Sequence, residues 1–258
     1  MVDRGSKMIA LFVLAIYLFL YVPIIVLVLF SFNSKSFPSP WDGFTLHWYH
    51  ELLESKELWS SFSTSLSVSI LSTLLSLFMG ICFIYYISRR QKGENLVPLF
   101  YSNLIIPELV LAIGLVSYFG VFQVPLGFQT LLIAHTVLGL GFAIPILYVR
   151  YKELPISLVE ASLILGAGPT RTFFKITLPL LKPALLASGL LIFVISFDDF
   201  LFSYFCAGTS VETLSLYLIS SIRFGISPVV NALSTILLFL TIPLALLFFS
   251  SKKGTEVF

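Results

Sequence analysis

The chain has 258 residues, of which 58% are hydrophobic and only 11% charged, with a mean hydropathy of +1.01. A soluble domain carries about a quarter charged residues, so this composition excludes one and makes the bilayer the solvent. The formal net charge of +2 and the lack of a long basic tract exclude a nucleic-acid partner held through phosphate contacts.

A helix needs about 20 mostly apolar residues to cross the hydrocarbon. Six stretches qualify: Met8 to Phe32, Phe62 to Ser88, Leu96 to Gly120, Thr130 to Tyr151, Pro183 to Ala207 and Val229 to Ser250. The first is much longer than a signal-peptide core and lacks a small-residue cleavage site, so it is expected to stay attached. Prolines and glycines within the spans, such as Pro23, Pro107, Gly139, Gly141 and Pro145, predict kinks or close helix crossings.

Six spans put both termini on one side. Arg4, Lys7, Arg89, Arg90, Lys92, Arg150, Lys152, Arg171, Lys175, Lys182, Lys252 and Lys253 fall on that side, and only Lys35, Lys56 and Arg223 fall opposite. Because basic residues are retained in the cytoplasm, the termini and a loop over about residues 152 to 182 are predicted to be cytoplasmic. The expected fold class is an all-α integral membrane protein, one transmembrane domain over residues 1 to 258.

The first outer loop carries Trp41, Trp48 and Trp59 with Phe44 and Tyr49, a composition suited to the headgroup level, and predicts a short interfacial helix from Thr45 to Lys56. His47, His50, Glu51, Glu54 and Glu57 read as solvated groups on that helix rather than as a zinc site. Cys82 and Cys206 lie far apart in apolar runs, so neither a disulfide nor a metal centre is expected. No cofactor is predicted.

The predicted cytoplasmic loop reads as helix, turn, helix. Ser157 and Glu160 have capping-box spacing, Gly166 is placed to end the first helix, Pro169-Thr170 begins the second and Pro179 stops it. Leu158, Val159, Leu163 and Ile164 supply an apolar ridge, and the small Ala161 and Ser162 let another surface approach. Such a helix is a rigid knob. The chain has no G-x-x-x-x-G-K-[ST] loop to hold nucleotide phosphates, and no H-E-x-x-H or G-x-S-x-G motif.

Acids inside a membrane are the other signal, since an Asp at the bilayer centre costs about 2.5 to 3.5 kcal/mol and is rarely kept without use. Glu108 follows Pro107 in the third span, and Asp198 and Asp199 lie in the fifth. Neighbours on a helix point about 100° apart, so one of the two aspartates is expected to line a path while the other caps or pairs. Without intramembrane Lys or Arg beside them, these acids suit a cation, with Phe197, Phe200 and Tyr204 offering aromatic faces. A flexible polycation fits.

The spacing of Glu160-Ala161-Ser162, Gly166 and Ile176-Thr177-Leu178-Pro179 resembles the cytoplasmic EAA loop of binding-protein-dependent ABC transporter permeases, with Ser162 where that family usually has Ala. In that family a short helix fits a cleft on an ATPase partner. Further stretches resemble the spermidine/putrescine permeases of the same family: Tyr21-Val22-Pro23-Ile24-Ile25, Ser31-Phe32-Asn33-Ser34, Gly43-Phe44-Thr45 with Trp48-Tyr49, Ser196-Phe197-Asp198-Asp199, and Asn231-Ala232-Leu233-Ser234. Glu108 stands where Asp is expected.

The resemblance implies a six-span permease of the type I importer kind in a bacterial inner membrane, working with a second homologous permease, two ATPase subunits and an extracytoplasmic polyamine-binding protein. It implies that Glu160, Ala161, Ser162, Gly166, Ile176, Leu178 and Pro179 form the ATPase-coupling contact. It also implies that Asp198, Asp199, Glu108 and Tyr204 stand along the substrate pathway. Two alternatives remain at this stage: an importer of another solute, such as a thiamine-like cation, a metal complex or an oxyanion, and a membrane enzyme or channel using the buried acids.

Overall fold

The computed structural model describes residues 2–35, 39–90, 93–223 and 228–239. Among these the only β feature is an isolated antiparallel bridge between Asn33 and Phe44; the rest is helix and short connections. The chain divides into two compact units, Met1–Leu58 with Leu218–Phe258, and Trp59–Tyr217.

In the first unit, α1 (Val2–Phe30) is apolar from Met8 onward, and none of its most hydrophobic stretch is covered by the rest of the chain. A helix apolar on every side needs lipid or another subunit around it. The loop that follows is tied into a knot by the buried Asn33. Its amide donates to the carbonyls of Lys35 (2.9 Å) and Pro40 (3.3 Å), its Oδ1 accepts from the Asp42 N–H (2.9 Å), and its own carbonyl accepts from Trp48 Nε1 (2.7 Å). Phe32 stacks between Phe44 and Tyr49. These contacts seat α2 (His47–Glu54), shorter than the helix expected from Thr45 to Lys56 because Ser55 turns extended before α3 begins.

The second unit is built around α6 (Phe128–Lys152), two-thirds of whose apolar stretch is buried. Against it pack α4 (Val97–Ile105), α5 (Glu108–Val121), α9 (Leu178–Asp198) and α10 (Leu201–Cys206), and α3 (Lys56–Arg90) meets it where Ser76 Oγ donates to the Thr136 carbonyl. Lipid is as apolar as Leu, so close fit rather than loss of water must hold such helices together. Gly139 shows how close: a Cβ there would collide with Ser76 Oγ and stand 2.9 Å from Ile192 Cγ2, so α3, α6 and α9 cross at a point only glycine permits. One buried cluster joins α5, α6 and α10 through Ala112, Phe119, Ala134, Leu138, Phe202 and Cys206.

Several expectations need correction. The third span is not one rod: α4 and α5 meet at a bend of 109°. Pro107 has no N–H to give, and it drives Ile106 to an extended conformation (φ −69°, ψ 131°). The fifth span likewise ends early, at Asp198, and restarts as α10. The Ser157–Glu160 capping box does not form. Helix α7 (Ile156–Ile164) starts two residues earlier, after Pro155, with no side-chain cap, and the Pro155 carbonyl accepts the Leu158 N–H instead.

Nor does Pro179 stop the second loop helix. Helix runs unbroken from Pro169 to Asp198: α8 (Pro169–Thr172), a π turn over Phe173–Thr177, then α9. The wider turn leaves room for the Pro179 ring, which would otherwise strike the carbonyl four residues back. Four described helices are long and apolar enough to cross a membrane, and the bent α4–α5 pair makes a fifth if it counts as one span. Of the expected Val229 to Ser250 span, only the part within α12 (Pro228–Phe239) is described, after α11 (Leu214–Arg223); the remainder lies outside the described residues.

Candidate functional site

The two helix breaks bring the intramembrane acids together. Glu108 is the first residue of α5, directly after the Pro107 break, and Asp199 is the extended residue between α9 and α10. Because α5 and α10 pack side by side, their two starts are neighbours. Glu108, Asp198 and Asp199 line one open cleft of about 330 Å³ with Val194, Ile195, Phe200 and Leu201, and none of these is Lys or Arg. Glu108 and Asp199 thus share the wall of a single cleft.

Asp198 and Asp199 do different jobs. Asp198 ends α9 and is exposed on the cleft, whereas Asp199 is 7% exposed. Asp199 Oδ1 accepts the Phe202 N–H (3.3 Å) and Oδ2 the Ser203 N–H (2.9 Å), which fills two of the donors that the start of α10 would leave unpaired. Of the aromatic side chains expected beside them, only Phe200 lines the cleft. Tyr204 is exposed one turn further along α10, its ring tilted against Phe200 at 5.6 Å, while Phe197 packs on Phe62 and Phe193.

Behind Asp199 lies a residue that sequence reading missed. His135 on α6 is 1% exposed; its Nε2 stands 3.4 Å from Asp199 Oδ2 and its Nδ1 2.7 Å from Ser196 Oγ, which in turn is 3.1 Å from Ser72 Oγ. With a neutral ring, Ser196 Oγ–H can donate to Nδ1, leaving Nε2–H to face Ser203 Oγ at 3.5 Å and the Asp199 carboxylate at 3.4 Å. The order Ser, His, Asp is that of a hydrolytic triad, but Ser196 is 4% exposed and its hydroxyl is out of a substrate's reach. His135 sits in an apolar run far from its partners in sequence, so no local spacing marks it. Only the general rule that an ionisable group inside a membrane has a use could have found it.

The predicted knob is a separate feature. No residue of α7 is buried, and Ile156, Leu158, Leu163, Ile164 and Leu165 are all exposed, the last two at 84% and 86%. Gly166 ends the helix with φ +84°, a left-handed conformation that side chains with a Cβ resist; its N–H bonds the Leu163 carbonyl and that of Ala167 the Ser162 carbonyl. Ser162 Oγ lies 2.9 Å from Thr172 Oγ1, and Tyr85 OH lies 3.0 Å from Thr170 Oγ1, so α7 is tied to α8 and α8 to the end of α3. Glu160 and Ala161 are exposed on α7 and Pro179 is exposed at the foot of α9, whereas Ile176 is half-buried and Leu178 packs into the cluster around Phe173. The structure therefore leaves Glu160 and Ala161 open on α7, which is tied to α8 through Ser162 and Thr172, and packs Leu178 at the foot of α9 into the interior. Among the described residues no group of His, Cys, Asp and Glu is arranged to hold a metal.

Residues 72–253 match the family model described as binding-protein-dependent transport system inner membrane component. The spermidine/putrescine transport system permease protein PotC of Escherichia coli strain K12 is 37% identical over 233 residues, covering 90% of this chain and 88% of that protein. The putrescine transport system permease protein PotI of the same strain is 31% identical over 229 residues, covering 85% and 82%. Among solved structures, a bacterial ABC transporter involved in the import of the acidic polysaccharide alginate contains a chain that aligns with a TM-score of 0.70 at 15% identity, over 98% of each chain, and so shares the fold. The homologues are transport permeases rather than enzymes, and the chain belongs to the binding-protein-dependent transport system inner membrane component family.

Proposed function

We propose that this permease forms, with a second homologous permease, the pathway of an ATP-driven importer whose cargo is a polyamine. The observation that carries the cargo is the acidic cleft: three carboxyls at two adjoining helix breaks, with no lining cation, suit a flexible polyamine. Relatives named for spermidine and putrescine transport support the same reading. An alginate-importing neighbour supports only the fold, since its cargo is an anion.

The exposed apolar face of α7 is the contact for an ATPase subunit, with Glu160 and Ala161 at the docking surface and Leu178 rooting it. Two such subunits supply the energy, and an extracytoplasmic binding protein delivers the cargo. We place both termini and α7 on the cytoplasmic side, a reading that the distribution of Lys and Arg supports. The test is spermidine- and putrescine-stimulated ATP hydrolysis by the complex reconstituted in lipid. Stimulation by either cation is expected; a response only to an oxyanion or sugar acid overturns the cargo.

A further inference from the structure

His135 is buried among four helices, and its ring is fully engaged. Nδ1 is held by Ser196 of α9, with Ser72 of α3 behind it, and Nε2 faces Asp199 Oδ2 at 3.4 Å and Ser203 Oγ of α10 at 3.5 Å. Asp199 is thereby occupied on its inner side by His135 and along the chain by two N–H groups of α10. Its position is set by three contacts. The neighbouring residue, Asp198, and the facing Glu108 carry the acids of the cleft.

We propose that His135 is the positioning residue of the acidic cleft. It pins Asp199, and with it the break between α9 and α10, so that Asp198 and Glu108 face a cationic cargo at a fixed separation. This inference rests on the cleft being the cargo path, and it assigns the selectivity of that path to a side chain that never touches the cargo. Four features of the molecule carry it: near-complete burial, partners on both ring nitrogens, a direct contact with the residue at the break, and the adjacency of that break to the start of α5.

The test uses the complete reconstituted complex and compares His135→Ala with His135→Gln, whose amide can both donate and accept. Spermidine uptake should show KM raised about tenfold in His135→Ala with Vmax within about twofold, and most of the affinity restored in His135→Gln. Unchanged KM in His135→Ala, or a fall in Vmax alone that glutamine leaves uncorrected, overturns the proposal. Should His135→Ala not assemble, Ser196→Ala, which frees the far side of the ring, is expected to raise KM in the same direction by a smaller factor, and an unchanged KM there is equally fatal.

A second readout needs no cargo. In a Cys82→Ser background, Asp198→Cys is modified with cationic and anionic methanethiosulfonate reagents. The ratio of the two rates should shift about threefold or more when His135 is replaced by Ala, because Asp199 loses its fixed position. An unchanged ratio overturns the positioning role. A complex that takes up no spermidine or putrescine, yet shows the shifted ratio, sinks the polyamine reading and leaves the positioning role standing.

Discussion

Asp198 and Asp199 are consecutive, yet the helix ends between them: the first is exposed on the cleft and the second is buried, bonded to the Phe202 and Ser203 N–H groups and facing His135. Asp198→Asn should therefore raise the KM for spermidine and leave the complex as stable as before. Asp199→Ala should do both, raising KM and losing about 1 kcal/mol or more of stability, since α10 loses its cap and His135 a partner. Uptake kinetics and thermal melting in the same lipid separate the two residues. Equal loss of stability in both would contradict the division of labour.

The exposed ridge of α7 makes a different prediction. Ile164→Asp or Leu165→Asp places a charge where an apolar partner surface must lie and should weaken co-purification of the ATPase subunits by about tenfold or more, while Glu160→Ala weakens it less. Spermidine binding to the permease pair should be untouched. Retention of the ATPase subunits by both aspartate variants would move the docking surface elsewhere.

Gly166 and Gly139 are predicted to fail in different ways. Gly166→Val forces a β-branched side chain into a left-handed conformation at the end of α7, a cost of about 1 to 2 kcal/mol confined to an exposed loop, so ATPase coupling should fall while the melting of the membrane helices holds. Gly139→Val pushes α6 off Ser76 and Ile192 and should destabilise the whole second unit by about 1 to 3 kcal/mol or more. Thermal melting paired with an ATPase assay reads both.

Sidedness has its own test. In a Cys82→Ser background, Ser157→Cys on the exposed α7 should react with an impermeant thiol reagent only when the inner membrane face is presented, as in inverted vesicles. Labelling in intact cells with a permeabilised outer envelope would reverse the orientation drawn from the basic residues.

Features set by a single residue's chemistry were legible in the sequence. Gly166 was readable as a helix end because only glycine takes that conformation cheaply, Pro107 marked a disturbed span, and two adjacent acids had to diverge in role. Features that depend on what arrives from elsewhere in the chain were not. His135 gains meaning only when Ser72, Ser196 and Asp199 are folded around it. Ser157 and Glu160 have the spacing of a cap, yet Pro155 starts the helix first and leaves Ser157 inside it. Pro179 reads as a stop, but one wide turn absorbs it and the helix continues.

That absorbed proline has a mechanical corollary. From Pro169, beside the knob, to Asp198, on the cleft, the backbone is one helical shaft of about 45 Å with no loop in it. On the proposed coupling, a twist applied at the α8 end reaches Asp198 through continuous helix, and the places along the shaft where the winding departs from a regular α-helix are the π turn at Phe173–Thr177 and the missing hydrogen bond at Pro183.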